Sequence, residues 1–230
     1  MISPKTKVKI VDEQSESTDL RSKSFKRKSK YQMHIQQITE TSPLTVPGSF
    51  TPDLLISKLW LWEELCKSLR SLHIDRVHAV YILGSWTGGM SMVLAAKHFP
   101  ADTVINVDQD PHWIEVSRRM ANRMGFDDHM QYMIADVNDL DYRQAKNPSV
   151  VINTSTNDIQ HDQWFDSIPS GTVVALQGRD RTNMQTATRS WTSLADFRSD
   201  FPMQRGLYQG QLPLRDPQIN YNRYMIIGVV

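Results

Sequence analysis

The chain has 230 residues, 40% hydrophobic and 9% aromatic, with a formal net charge of +1. That balance excludes global disorder, and a single cysteine, Cys66, excludes an internal disulfide framework and a thiolate zinc site. No apolar run approaches the roughly 18 residues that span a bilayer, and the polar N-terminus lacks the apolar stretch of a secretory signal. The expected location is therefore the cytoplasm.

Charge is uneven along the chain. The segment RSKSFKRKSK carries Arg21, Lys23, Lys26, Arg27, Lys28 and Lys30 and no anion. The residues around it are poor in large apolar side chains, so little burial offsets the entropy of ordering them. The expectation is a basic flexible arm over 1–46 and one domain over 47–230. Contact of the six cations with nucleic acid is one reading of the arm. A solubilising tail is the other.

The body alternates helix and strand. Thr51-Pro52-Asp53 has the chemistry of a helix start: a hydroxyl cap, proline at the first position and an early acid. Leu55, Leu59, Trp62, Leu65 and Leu69 follow at helical spacing, which predicts a helix to about Leu72. Val77–Leu83 reads as a strand ending in Gly84-Ser85-Trp86-Thr87-Gly88-Gly89. A helix with Met92, Val93, Ala96 and Phe99 on one face comes next. Thr103–Val107 is the second strand, ending at Asp108, and Pro111 opens a helix that Gly125 stops. Met130–Ile134, Ser149–Ile152 and Thr172–Leu176 are further strands. Apolar runs of this kind, separated by helical segments, point to strands buried on both faces of a parallel sheet. Leu207–Leu214 and Tyr224–Val230 are strands with only a turn between them, so one of the two is antiparallel to its neighbours.

The strand ends carry the candidate chemistry. A glycine-rich turn that opens a helix lets a ligand approach the backbone amides. Structural glycines in a plain strand–turn–helix are the alternative. The dinucleotide pattern G-x-G-x-x-G is absent, because Trp86 stands two residues after Gly84. Asp108 ends the second strand, where a carboxylate can accept both ribose hydroxyls of a nucleoside. Asp110, next to Pro111, is the better helix cap and leaves Asp108 free. Asp136 ends the third strand. Asn153 ends the fourth, and Asp158 and His161 follow as candidate general bases. Asp158 equally suits the cap of a helix containing Trp164 and Phe165. Tyr221-Asn222-Arg223-Tyr224, before the last strand, reads either as facing substrate or as sheet-edge packing. The seven histidines lack close metal-ligand spacing.

ILGSWTGG, INVDQDP, VVINTSTNDI, IPSGTVVALQ and YNRYMIIG together resemble class I S-adenosylmethionine (SAM) methyltransferases, and within them small proteins of tailed bacteriophages. The resemblance runs from about residue 78 to 230. It implies an α/β, Rossmann-like, mostly parallel sheet with a C-terminal antiparallel strand, and S-adenosyl-L-methionine as cofactor. It places Gly84, Ser85, Trp86, Gly88, Asp108 and Asp136 at the cofactor, with Asp136 matching the acid that binds the adenine amino group. Trp86 replaces the family's middle glycine and Ile82 its acid. The phage proteins often have Cys-Glu-His where this chain has Thr156-Asn157-Asp158. Asn153 matches the first residue of the amino-methyltransferase motif, but Thr154, Ser155 and Thr156 replace its prolines and aromatic. The implied activity is methyl transfer, with nucleic acid as an expected acceptor and Asn153, Asp158 and His161 as catalytic candidates. A catalytically silent SAM- or nucleoside-binding protein, serving in a virion or in host takeover, is the alternative. A nicotinamide oxidoreductase is third, disfavoured by the glycine spacing and the final strand pair.

Overall fold

The computed structural model describes residues 50–142, 147–181, 187–215 and 220–230. The expected arm over 1–46 and its six cations lie outside the described residues.

Helix α1 (Pro52–Ser71) begins as its chemistry requires, with the Thr51 hydroxyl accepting the N–H of Leu54 at 3.4 Å. Leu55, Leu59, Trp60, Leu65 and Leu69 form its buried side. Strand β1 (Val77–Leu83) leads into α2 (Gly89–Ala96), β2 (Ala101–Asp108), α3 (Pro111–Met124) and β3 (Met130–Ile134). Then come β4 (Ser149–Asn153), the single turn α4 (Gln163–Asp166), β5 (Val173–Arg179), α5 (Leu194–Asp200), β6 (Arg205–Arg215) and β7 (Asn220–Val229). Helix α2 stops at Ala96, before Phe99, which is nevertheless buried.

All seven strands form one sheet in the order β3-β2-β1-β4-β5-β7-β6. β1 to β5 pair in parallel, while β7 is antiparallel to both β5 and β6. The chain order reverses between β1 and β4, which opens the crevice used for ligands in such sheets. Separate apolar clusters cover the two faces. Leu55, Leu59 and Trp60 of α1 pack with Val80, Ile152, Met225 and Ile227 on one. Trp164, Phe165, Trp191, Phe197 and Phe201 pack with Val151, Val174 and Ile226 on the other.

Burial on both faces holds for β1, β4 and β5, but not for β3. That strand is the sheet edge, and Met133 and Ile134 remain 40% and 59% exposed. No described helix is long and apolar enough to cross a membrane.

Candidate functional site

The carboxyl ends of β1 to β4 are tied together by a short series of hydrogen bonds. After β1 the chain turns through Gly84 at φ 58°, Trp86 at φ 48° and Gly88 at φ 76°. All three sit in the left-handed region, which glycine enters freely and tryptophan does not. A side chain on Gly88 would collide with the Ser117 hydroxyl of α3, so that glycine lets the loop lie directly on the helix.

The loop is then pinned to β2. Ser85 N–H donates to the Val107 carbonyl at 2.9 Å, and Trp86 N–H to Asp108 Oδ2 at 2.9 Å. Asp108 Oδ1 accepts the N–H of Asp110 at 3.1 Å. Asp110 caps α3 through His112 N–H at 2.8 Å, as its place before Pro111 predicts. The Asp108 carbonyl accepts the N–H of Ala135 at 3.1 Å, which brings in the end of β3. Asp108 is 8% exposed, and burial pushes its carboxyl above the usual range. The Trp86 and Trp113 rings meet edge to face at 5.6 Å beside it.

From β4, Asn153 Oδ1 accepts the N–H of Ser155 at 2.9 Å, and the Ser155 hydroxyl donates to the Gly84 carbonyl at 3.0 Å. Asn153 Nδ2 and Ser85 Oγ are buried without a hydrogen-bond partner. Buried polar groups of this kind call for an explanation, of which a ligand is one. Gly84, Ser85, Trp86, Asp108 and Asn153 thus form one connected cluster. Asp136 lies at its rim: the side chain is exposed and caps the next turn, accepting from Asn138 N–H at 2.9 Å.

Asp158 joins this cluster only through its backbone, whose N–H donates to the Ser155 carbonyl at 2.9 Å. Of the two roles open to Asp158, the structure excludes the cap of the helix of Trp164 and Phe165. That helix begins after Asp162, whose carboxylate is gripped by both terminal nitrogens of Arg189 at 2.6 Å. Asp158 instead accepts from Arg179 at 3.2 Å, at the end of β5. His161 is exposed.

Thr156 and Asn157 have structural employment. The Thr156 hydroxyl donates to the Gln177 carbonyl at 2.7 Å. Asn157 accepts the N–H of Arg179 at 3.0 Å and donates to the Arg179 and Arg189 carbonyls. Sequence reasoning missed Ser155, Trp113 and Arg179, because each gains its role only through a partner distant in the chain. No group of three or more His, Cys, Asp or Glu among the described residues is placed to hold a metal ion.

No family model and no curated protein sequence matches the chain. Solved structures do. The N-methyltransferase NodS from Bradyrhizobium japonicum WM9, in complex with S-adenosyl-L-homocysteine, matches with a TM-score of 0.55 at 11% identity, over 84% of this chain and 97% of that one. YcgJ from Bacillus subtilis matches with 0.54 at 10%, over 72% and 96%. The MccD protein matches with 0.51 at 11%, over 73% and 96%. A Galdieria sulphuraria chain is matched over 46% of its own length, with a TM-score of 0.44 that is too low to bear on the fold. Strand order, the antiparallel β7 and these alignments agree, and the chain has the Rossmann-like fold of class I methyltransferases.

Proposed function

We propose that this chain is a SAM-dependent methyltransferase whose cofactor site is the cluster of Gly84, Ser85, Trp86, Gly88, Asp108 and Asn153. The observation that carries the reading is Asp108. It is a buried carboxylate at the end of β2, held against the glycine-rich loop by Trp86 N–H. In this fold an acid there accepts ribose hydroxyls. The residues fit the cofactor. A carboxylate has about four acceptor positions, so Asp108 keeps capacity beyond the backbone amides it already holds. The unpartnered Ser85 Oγ and Asn153 Nδ2 border the same loop.

S-adenosylmethionine, when bound, supplies an electrophilic methyl group on a sulfonium. The chain's own work is positioning. Asp108 orients the ribose, Asp136 stands at the rim for the adenine amino group, and the loop after β1 brings its backbone close. Asp158, anchored by Arg179 and partly exposed, takes the proton that the acceptor releases. Methyl transfer from a sulfonium is a direct displacement with the thioether leaving, so positioning is what it asks of these residues. A silent SAM-binding protein is the second reading, favoured by the structural employment of Thr156 and Asn157.

Calorimetry of the full chain with SAM, S-adenosylhomocysteine and NAD tests the reading. SAM and its product are expected to bind and NAD is not. Asp108→Ala is expected to weaken binding by about 1.5–3 kcal/mol, the scale of a hydrogen bond to a charged group. NAD binding without SAM binding would turn the assignment to an oxidoreductase. Binding without S-adenosylhomocysteine release, across nucleic-acid, protein and small-molecule acceptors, would favour the silent reading.

A further inference from the structure

The end of β5 and the start of β7 hold a group of cations that the cofactor site does not use. Arg179 and Arg223 face each other directly in the antiparallel β5–β7 register. Directly opposed residues share a sheet face, and like charges so placed repel. Gln177, two residues before Arg179 and therefore on the same face, hydrogen-bonds to Ser57 of α1. Lys58 follows Ser57 and lies near enough to Arg223 for their charges to interact.

Arg223 is 4% exposed and the Arg179 side chain 12%. The Nε of each is buried without a hydrogen-bond partner. Arg179 reaches Asp158, and the Arg223 guanidinium lies 5.7 Å from the centre of the Tyr221 ring. Among the described residues no carboxylate pairs with Arg223 or Lys58. A buried cation without a counter-charge is strongly unfavourable.

Its surroundings say what kind of group these cations suit. Asn157 binds the backbone of Arg179, and Asp158 its side chain, so the cations adjoin the loop that follows β4. Ligands of open α/β sheets bind at these strand ends. Lys58 keeps partial exposure, which leaves the group open to solvent beside α1.

We propose that Arg179, Arg223 and Lys58 form an anion-binding subsite for a carboxylate or phosphate group carried by the methyl acceptor. The identification of the anion's carrier as acceptor rests on the methyltransferase reading; the subsite rests on the cations themselves. A guanidinium fork matches either oxyanion with two parallel hydrogen bonds. Burial and Arg223 lower the Lys58 ammonium to about 8, a depression that a bound anion reverses.

The test is thermal unfolding and calorimetry of the full chain with inorganic phosphate and with acetate, against sodium chloride at matched ionic strength. At least one anion is expected to raise the unfolding temperature where chloride does not. A response to phosphate marks a phosphorylated acceptor, and a response to acetate marks a carboxylate. Arg223→Met is expected to raise the unfolding temperature without anion and to weaken anion binding about tenfold or more. If Arg223→Met does not fold, Lys58→Met is read by the same criterion of weakened anion binding. No response beyond chloride, or unchanged binding in a folded variant, overturns the subsite. S-adenosylhomocysteine is titrated in parallel. Its binding, with no anion response, sinks the subsite alone. An anion response with no S-adenosylhomocysteine binding sinks the methyltransferase reading and leaves the subsite standing.

Discussion

The Asp108 carboxylate accepts the backbone N–H of Trp86 at 2.9 Å, so the end of β2 holds the loop that leaves β1. The bond falls on a residue whose backbone conformation is unfavourable. At φ 48°, Trp86 occupies the left-handed region at a cost of about 1–2 kcal/mol for a residue with a side chain. The Asp108 bond and the edge-to-face contact with Trp113 offset that cost.

Trp86→Gly is therefore expected to lower stability only modestly. Losing the ring pair costs about 0.5–1.5 kcal/mol beyond the burial of the half-buried ring, and releasing the left-handed strain offsets about as much as the pair contributes. Chemical denaturation is expected to show only the lost partial burial, a net loss of about 1–2 kcal/mol. A loss above about 3 kcal/mol would identify the indole as core packing rather than as a wall of the site.

Gly88 has no such latitude. It sits at φ 76°, and a methyl group there meets the Ser117 hydroxyl. Strain and overpacking together predict a loss of about 2–4 kcal/mol for Gly88→Ala. Ser117 Oγ is buried with no partner, so Ser117→Ala alone is expected to be nearly neutral. In the double variant the hydroxyl clash is gone while the strain remains, so part of the loss returns, about 1 kcal/mol. A fully additive cycle would mean that the two residues do not touch.

Local rules made much of this fold legible. Thr51 and Asp110 act as the caps their neighbours Pro52 and Pro111 suggest, and the Asp110 cap leaves the Asp108 side chain to the loop. Met130–Ile134 is a strand over the expected residues, yet its exposure follows from its place at the sheet edge, which no local pattern encodes. The strand expected to stop at Leu176 continues to Arg179, because β7 supplies pairing partners as far as Arg223. That extension creates the Arg179–Arg223 juxtaposition and draws in Asp158. Of the two readings of Asp158, the helix cap gives way for the same reason: its partner lies on another strand.

The pH dependence of stability tests the surroundings of Lys58 without any ligand. Its ammonium is lowered from an ordinary 10.5 to about 8, first by burial and then by Arg223. The charged form is thus disfavoured in the folded state. Below about pH 8 the group is charged in both states and the folded protein carries the whole penalty. Between about 8 and 10.5 the unfolded chain holds the proton more tightly, so stability rises with pH. Above that window the penalty is gone. Lys58→Met removes the titrating group. Relative to that variant, the wild type is expected to gain on the order of 1–3 kcal/mol from pH 8 to 10.5. Taking the difference cancels tyrosines and other groups that titrate in the same range. The measurement belongs in a chloride buffer free of phosphate and carboxylates, since an anion held by Arg223 would raise the lysine and shrink the rise. Parallel stability curves for the two proteins would show that Lys58 is solvated and lies outside the cation cluster.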